Sequence, residues 1–191
     1  MTRHHHPSPQ RGPARPSARS KSLPPHPAML DEADLLRDCE MTFGRTGGPG
    51  GQHRNKVETA CTITHTPSGI TSGASERRQQ GQNRSIAIFR LRVKLAVGLR
   101  RDVDRERYRP TELWKSRRQG SQISVNPKHA DFPALLAEAL DVIHARGCDV
   151  AGAAGILGVS MSQLAKLVRH NRFAFAAVND GRTSRGLRAL R

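Results

Sequence analysis

Aromatic residues are scarce in this 191-residue chain: five Phe, one Trp and one Tyr. So few rings cannot build an extended base-stacking platform, which excludes stacking as the main way of holding a partner. Cysteine is scarcer still. Cys39, Cys61 and Cys148 are odd in number and form no Cys-x-x-Cys pair, which rules out a disulfide framework or a usual zinc site and fits a reducing cytoplasm. No apolar run approaches the ~18 residues a membrane span requires, and the mean hydropathy is −0.61, so no membrane partner is expected. The amino-terminal stretch has basic residues but no apolar core followed by a cleavage site, so it is not read as a secretory signal. Acidic residues are also few: 16 Asp and Glu oppose 32 Lys and Arg, for a formal charge of +16. That excess points to a polyanion, nucleic acid or ribosome, as partner. The length suits one modest domain or two very small ones.

The charge is uneven. Residues 1–28 carry +5 without a single acid, residues 29–76 carry −3, residues 77–118 carry +10 and residues 119–191 carry +4. The ordinary meaning of a charge run is a solvated helix face. An excess of +10 in one segment is more than solubility requires, which favours an anionic partner.

Residues 1–28, rich in Pro, Ser, Arg and His, read as a disordered basic arm, and His4, His5 and His6 lack the further ligands a metal site needs. A short helix is predicted from Met29 to Glu40 with Asp31 as its cap, then a strand at Met41–Phe43. Ala60 to Thr66 alternates Cys61, Ile63 and His65 against threonines, the period of a strand, and a turn at Thr66–Gly69 returns the chain as Ile70 to Ala74. Ser75 is expected to cap a long helix over Glu76–Arg101, with Ile86, Phe89, Val93 and Val97 on its apolar stripe and Ile88, Leu91, Leu95 and Leu99 widening it. Residues 106–130 read as a basic linker. Three helical patterns follow within 131–178: one with Pro133 at its first helical position and Gly147 as its stop, one from Asp149 to Gly158, and one capped by Ser160 with Gln163. Ala154, Gly158, Leu164 and Leu167 have the spacing of a helix-turn-helix, and 179–191 is left as a basic tail. The fold class expected is α+β: a short antiparallel sheet packed by a long helix over residues 29–105, followed by a small all-α module.

The most informative stretch is Gly44-Arg-Thr-Gly-Gly-Pro-Gly-Gly-Gln-His-Arg-Asn-Lys56. Gly44, Gly47, Gly48, Gly50 and Gly51 are entropically costly, and a fold keeps such a loop where backbone must approach something closely. A phosphate-cradling loop would end in Gly-Lys-Ser/Thr, and this one does not. The run Arg45, Thr46, Gly47, Gly48, Pro49, Gly50, Gly51, Gln52, His53, Arg54, Asn55, with Thr59-Ala60 beyond it, resembles the GGQ domain of class I peptide chain release factors and of codon-independent ribosome rescue factors. His65–Ile70, Glu76-Arg-Arg-Gln and Asn83-Arg84 extend the resemblance, while Arg54 and Cys61 stand where that family usually has apolar residues. A second resemblance, to release factor-like proteins of planctomycete-type bacteria, is carried by Trp114-Lys-Ser-Arg-Arg, Ser124-Val-Asn-Pro, Asp131-Phe-Pro-Ala-Leu-Leu and Leu157-Gly-Val-Ser.

The resemblance implies ribosome-dependent hydrolysis of the peptidyl-tRNA ester, with Gly50, Gly51 and Gln52 catalytic and Arg45, Gly48, His53 and Asn55 supporting the loop. A monomer is expected, acting on large-subunit rRNA and peptidyl-tRNA without a cofactor or metal. Such chemistry stabilises an oxyanion and needs no general base, and Glu58 is the first acid after the loop. The length leaves no room for a codon-reading domain beside these segments, so release or rescue without stop-codon recognition is expected. Candidate RNA contacts are Arg54, Lys56, Arg77, Arg78, Arg84, Lys115, Arg117, Arg118, Lys166 and Arg169. Two alternatives remain open: a non-catalytic ribosome- or RNA-binding protein, and a helix-turn-helix DNA-binding regulator.

Overall fold

A computed structural model describes residues 24–45 and 58–191. Strands β1 (Cys39–Gly44), β2 (Ala60–His65) and β3 (Ile70–Ala74) form one antiparallel sheet in that order. Its register pairs Gly44 with Ala60, and His65 with both Cys39 and Ile70. The predicted alternation holds: Cys61, Ile63 and His65 are buried, while the threonines between them face outward, where the Thr64 and Thr71 hydroxyls meet at 2.9 Å. Cys61, one of the departures from the family pattern, serves as core, and burial pushes its thiol pKa up so that it stays neutral. The hairpin turn occupies Thr66–Gly69 as expected and is closed by the His65 carbonyl, which accepts from the amides of both Ser68 (3.2 Å) and Gly69 (2.8 Å).

Helix α1 (Glu32–Arg37) is capped by Asp31 as expected, its carboxylate accepting from the Asp34 amide at 2.8 Å, but it stops short of Glu40 because β1 begins at Cys39. The long helix α2 spans Gln80–Gly98, and Ser75 does not cap it; Gln79 stands at the cap without a side-chain bond. Its deepest residues are Ala87, Ile88, Leu91, Leu95 and Ala96, whereas Ile86, Phe89, Val93 and Val97 are only half-buried. The stripe is broad because α2 is covered twice, by β2 and β3 on one side and by helix α4 on the other.

Helix α4 (Phe132–Ala145) is the hub of the second half. Every residue from Phe132 to Ile143 is buried, and it packs against α2, α5 (Val150–Leu157), α6 (Met161–Arg169) and α7 (Arg172–Thr183). The α+β class is therefore as expected, with the helical module seated on α2 and enlarged by one helix. Asn171 caps α7, accepting from the amides of Phe173 and Ala174 at 3.0 Å each, and Ala174 and Val178 bury its inner face. Gly181 lets α7 sit close to the α4–α5 corner: a Cβ there would lie 2.6 Å from the Cys148 sulfur. The basic tail thus begins later than residue 179.

The stretch expected to be a linker, 106–130, is folded. It contains α3 (Glu112–Arg117) and the small hairpin of β4 (Arg118–Gln119) and β5 (Gln122–Ile123). Trp114 is 0% exposed and its indole N–H donates to the Leu157 carbonyl at 2.9 Å. Buried Glu138 of α4 accepts from the Tyr108 hydroxyl (2.7 Å), the Thr111 amide (2.8 Å) and the Thr111 hydroxyl (2.5 Å). These bonds fasten the connection to the hub, so that the two halves share one core. The arm is likewise shorter than 1–28. His26 and Ala28 are buried beside a 3-10 turn at Pro27–Met29, and only residues 1–23 of the arm, His4, His5 and His6 among them, lie outside the described residues.

Two buried groups titrate in opposite senses. Burial, with Arg100 and Arg101 nearby, lowers the His26 pKa to about 4. Burial raises Asp141, whose Oδ1 accepts from the Arg101 amide at 3.0 Å, to about 6. An unfolded histidine takes its proton near 6.5, so the His26 contribution is intact above that pH and is lost as pH falls toward 4. Asp141 works the other way: between about 6 and 3.8 the folded state holds the extra proton and gains stability on acidification. Denaturant unfolding across this window should therefore show His26→Asn gaining stability relative to the parent as pH falls and Asp141→Asn losing it. Parallel pH profiles for all three proteins would contradict these assignments.

Candidate active site

The glycine-rich loop is the connection between β1 and β2. Gly44–Ala60 is the last pair of that ladder, so Arg45 and Glu58 stand at the loop's neck, where Arg45 Nε lies 3.6 Å from Glu58 Oε1. Gly48, Gly50, Gly51, Gln52, His53, Arg54, Asn55 and Lys56 lie outside the described residues. The described residues give the geometry of the neck and of what holds it.

The neck is held by the first turn of α2. Gln80 donates from its side chain to the Glu58 carbonyl at 3.0 Å. Asn83, 0% exposed, donates through Nδ2 to the carbonyls of Thr59 (2.7 Å) and Arg77 (2.9 Å), while its Oδ1 accepts from the Arg77 amide at 2.9 Å. One amide side chain thus joins the returning end of the loop to the segment before α2. The Arg77 carbonyl bonds to Asn83 instead of to an amide one turn further on, which fits 76–79 lying outside the helix. Asn83 and Gln80 were not among the candidate site residues. The available signal was an asparagine placed just inside a helix start, where it is a poor helix former.

Replacing Asn83 by Asp would set a carboxylate against two carbonyl oxygens, and Asn83→Ala would leave buried backbone groups unpaired. Each should cost about 2–4 kcal/mol of folding stability, read from urea unfolding. A loss below about 0.5 kcal/mol, the range of ordinary surface changes, would show that the neck does not depend on this side chain.

The candidate cations divide into two sets. Arg84 pairs with Glu32 at 2.8 Å, Lys115 with Glu112 at 2.7 Å, and Arg117 with Asp131. Arg77, Arg78 and Lys166 are exposed and have no carboxylate partner among the described residues, whereas Arg118, also exposed, bonds to the Gly120 and Gly158 carbonyls and Arg169 to the Arg191 main-chain oxygen. Other cations of the +10 segment are used within the fold. Arg90 bonds to Glu76 and to the Gly73 carbonyl, Arg92 to the Leu30 carbonyl, Lys94 to the Thr71 carbonyl, and Arg100 to the last carbonyls of α2. Part of the charge excess is therefore structural. Arg77 and Arg78 remain beside the loop's neck, where an anionic surface meeting the loop would meet them too.

A family model for the RF-1 domain matches residues 34–130, just over half of the chain, from α1 through the β4–β5 hairpin. Peptide chain release factor 1 of Chloroherpeton thalassium is 47% identical over 79 residues, 41% of this chain and 22% of that protein. The chloroplastic peptide chain release factor PrfB1 of Arabidopsis thaliana is 48% identical over 60 residues, 31% of this chain and 13% of that protein. Peptide chain release factor 1 of Dictyoglomus thermophilum is 41% identical over 80 residues, 40% of this chain and 22% of that protein. The chain thus spans 13–22% of the length of these relatives. The matched stretch contains the glycine-rich connection, both strands that carry it and the helix that holds its neck, and on that match the chain belongs to the RF-1 domain family of class I peptide chain release factors.

Proposed function

We propose that this chain hydrolyses the ester joining a nascent peptide to tRNA on the ribosome, without reading a stop codon. The observation that carries the reading is Gly50-Gly51-Gln52 in the β1–β2 connection, inside the family match, with the neck of that connection held by Asn83 and Gln80. In the reaction, water adds to the ester carbonyl carbon, the carbonyl oxygen becomes an oxyanion, and the bond to the ribose oxygen breaks. The ribose oxygen leaves with a proton derived from water, giving a free peptide carboxylate and deacylated tRNA. The amide N–H of Gln52 stabilises the charge that develops on oxygen, and its side chain helps admit water. Gly50 and Gly51 allow the backbone to present that amide. Arg45, Gly48, His53 and Asn55 support the loop. Arg54, Lys56, Arg77 and Arg78 meet rRNA phosphate, which suits Arg54 at a position where an apolar anchor is usual, while Arg84 is held by Glu32.

The lack of a catalytic carboxylate in the loop supports catalysis by positioning inside a site the ribosome supplies. The test is peptide release from ribosomes presenting a stop codon, a sense codon or an empty A site. Equal release with stop and sense codons supports the reading, and release confined to stop codons contradicts its codon independence. Salt-sensitive ribosome binding with no release in any state would replace it by the non-catalytic binding protein.

A further inference from the structure

Helices α5 and α6 are joined by three residues, and their axes meet at 104°. Gly158 makes the turn in the left-handed region at φ +69°, and Ser160 caps α6, its hydroxyl accepting from the Gln163 amide at 3.3 Å. This is the geometry of a helix-turn-helix. The inner side of α6 buries Leu164, Ala165, Leu167 and Val168, leaving Met161, Ser162, Lys166 and Arg169 exposed on the other.

The β4–β5 hairpin stands beside this corner. The Ser160 amide donates to the Ser121 carbonyl at 2.8 Å, and the Arg118 guanidinium reaches the Gly158 and Gly120 carbonyls at 3.2 and 3.3 Å. Between β5 and α6 opens a cleft of about 250 Å³ whose polar lining is Gln122, Ser124, Gln163, Lys166 and His170, with no carboxylate. Arg172 extends the surface, its guanidinium 4.6 Å from the ring centre of Phe173, which is 61% exposed. Lys166 and Arg172 have no carboxylate partner among the described residues, whereas Arg118 is held by the two glycine carbonyls and Arg169 bonds to the Arg191 main-chain oxygen and lies 5.2 Å from the ring centre of Phe175.

We propose that α6 and the β4–β5 hairpin form a docking surface for the sugar-phosphate backbone of double-helical RNA. Lys166 and Arg172, exposed and without a facing acid among the described residues, complement phosphate, with Arg118 and Arg169 beside them. The start of α6 offers only Met161, Ser162 and Gln163 to base edges, too little to read sequence. A double-stranded RNA is recognised by shape and backbone across its wide minor groove, because its major groove is too narrow to admit a helix. The hairpin and α6, separated by a cleft lined with amide, hydroxyl and imidazole groups, suit such straddling contacts. The choice of RNA over DNA rests on the ribosomal reading; the surface itself does not.

The experiment is binding of the full chain to a roughly 20-base-pair RNA duplex and to the DNA duplex of the same sequence, as a function of salt. Lys166→Glu with Arg172→Glu should weaken RNA binding at least about tenfold and make the log–log salt dependence shallower by about two units. Arg105→Glu with Arg107→Glu makes the same change in net charge on the segment between α2 and α3 and should change affinity less than about twofold. Circular dichroism of both pairs checks that they fold. Equal weakening by the two pairs, DNA bound as tightly as RNA, or no duplex binding would each overturn the proposal. None of these readouts uses peptide release, so a chain that binds RNA through α6 yet releases nothing keeps this surface and loses the hydrolase reading.

Discussion

Gln52→Pro is expected to slow peptide release by about 10²–10³-fold, the usual cost of removing one oxyanion donor. The substitution takes away the backbone N–H to which the mechanism assigns the developing charge. Gln52→Ala keeps that N–H and loses only the side chain, so its defect should be smaller by an order of magnitude or more. Gly51→Ala restricts the backbone that presents the amide and should resemble Gln52→Pro. Affinity for the ribosome should stay within about threefold in all three variants, because a group that acts only in the transition state contributes little to ground-state binding. The measurement is single-turnover release from preformed peptidyl-tRNA–ribosome complexes at saturating factor. If Gln52→Ala and Gln52→Pro lose activity equally, the side chain and not the main chain is the working group.

Trp114→Ala should be the most damaging substitution in the described fold, at about 3–5 kcal/mol. The indole is completely enclosed, and its N–H is satisfied by a carbonyl at the end of α5, 43 residues away. Removing it opens a cavity and leaves the Leu157 carbonyl without its donor. Trp114→Phe fills much of the space but still loses the bond, and should cost about 1–2 kcal/mol. Chemical denaturation followed by circular dichroism distinguishes them, since the protein has no second tryptophan to report. Near-wild-type stability for Trp114→Ala would mean that 106–130 behaves as the free linker its composition suggested.

The sheet was legible because its signals are local. Period-two alternation gave β2, and a Pro- and Gly-containing turn gave the return at Ile70–Ala74 with its bounds intact. Caps were legible for the same reason: Asp31, Asp149 and Ser160 each accept the backbone bond their position implied. What escaped were features made by distant partners. Trp114 sits in a charged run with no periodicity, and its burial depends on α4 and α5. The start of α2 was misplaced because Asn83 ties it to Thr59, a contact between residues far apart in sequence. The double-sided burial of α2 put Ile88, Leu91 and Leu95, read as the margin of its stripe, at the centre and left Ile86, Phe89, Val93 and Val97 half-buried. Helix α7 has no counterpart in the sequence reading: residues 171–178 lie inside the expected all-α module without a helix of their own, and its last turn falls in the stretch assigned to a basic tail. The candidate site was legible as a motif, whereas the clasp at its neck needed the fold.

The central claim is tested most directly by incubating the unmodified chain with ribosomes stalled at the end of a truncated message and following the fate of the peptidyl-tRNA. Free peptide and deacylated tRNA should accumulate together, at a rate that rises with factor concentration and exceeds the factor-free rate. Intact peptidyl-tRNA on ribosomes that demonstrably carry the bound chain would contradict the account.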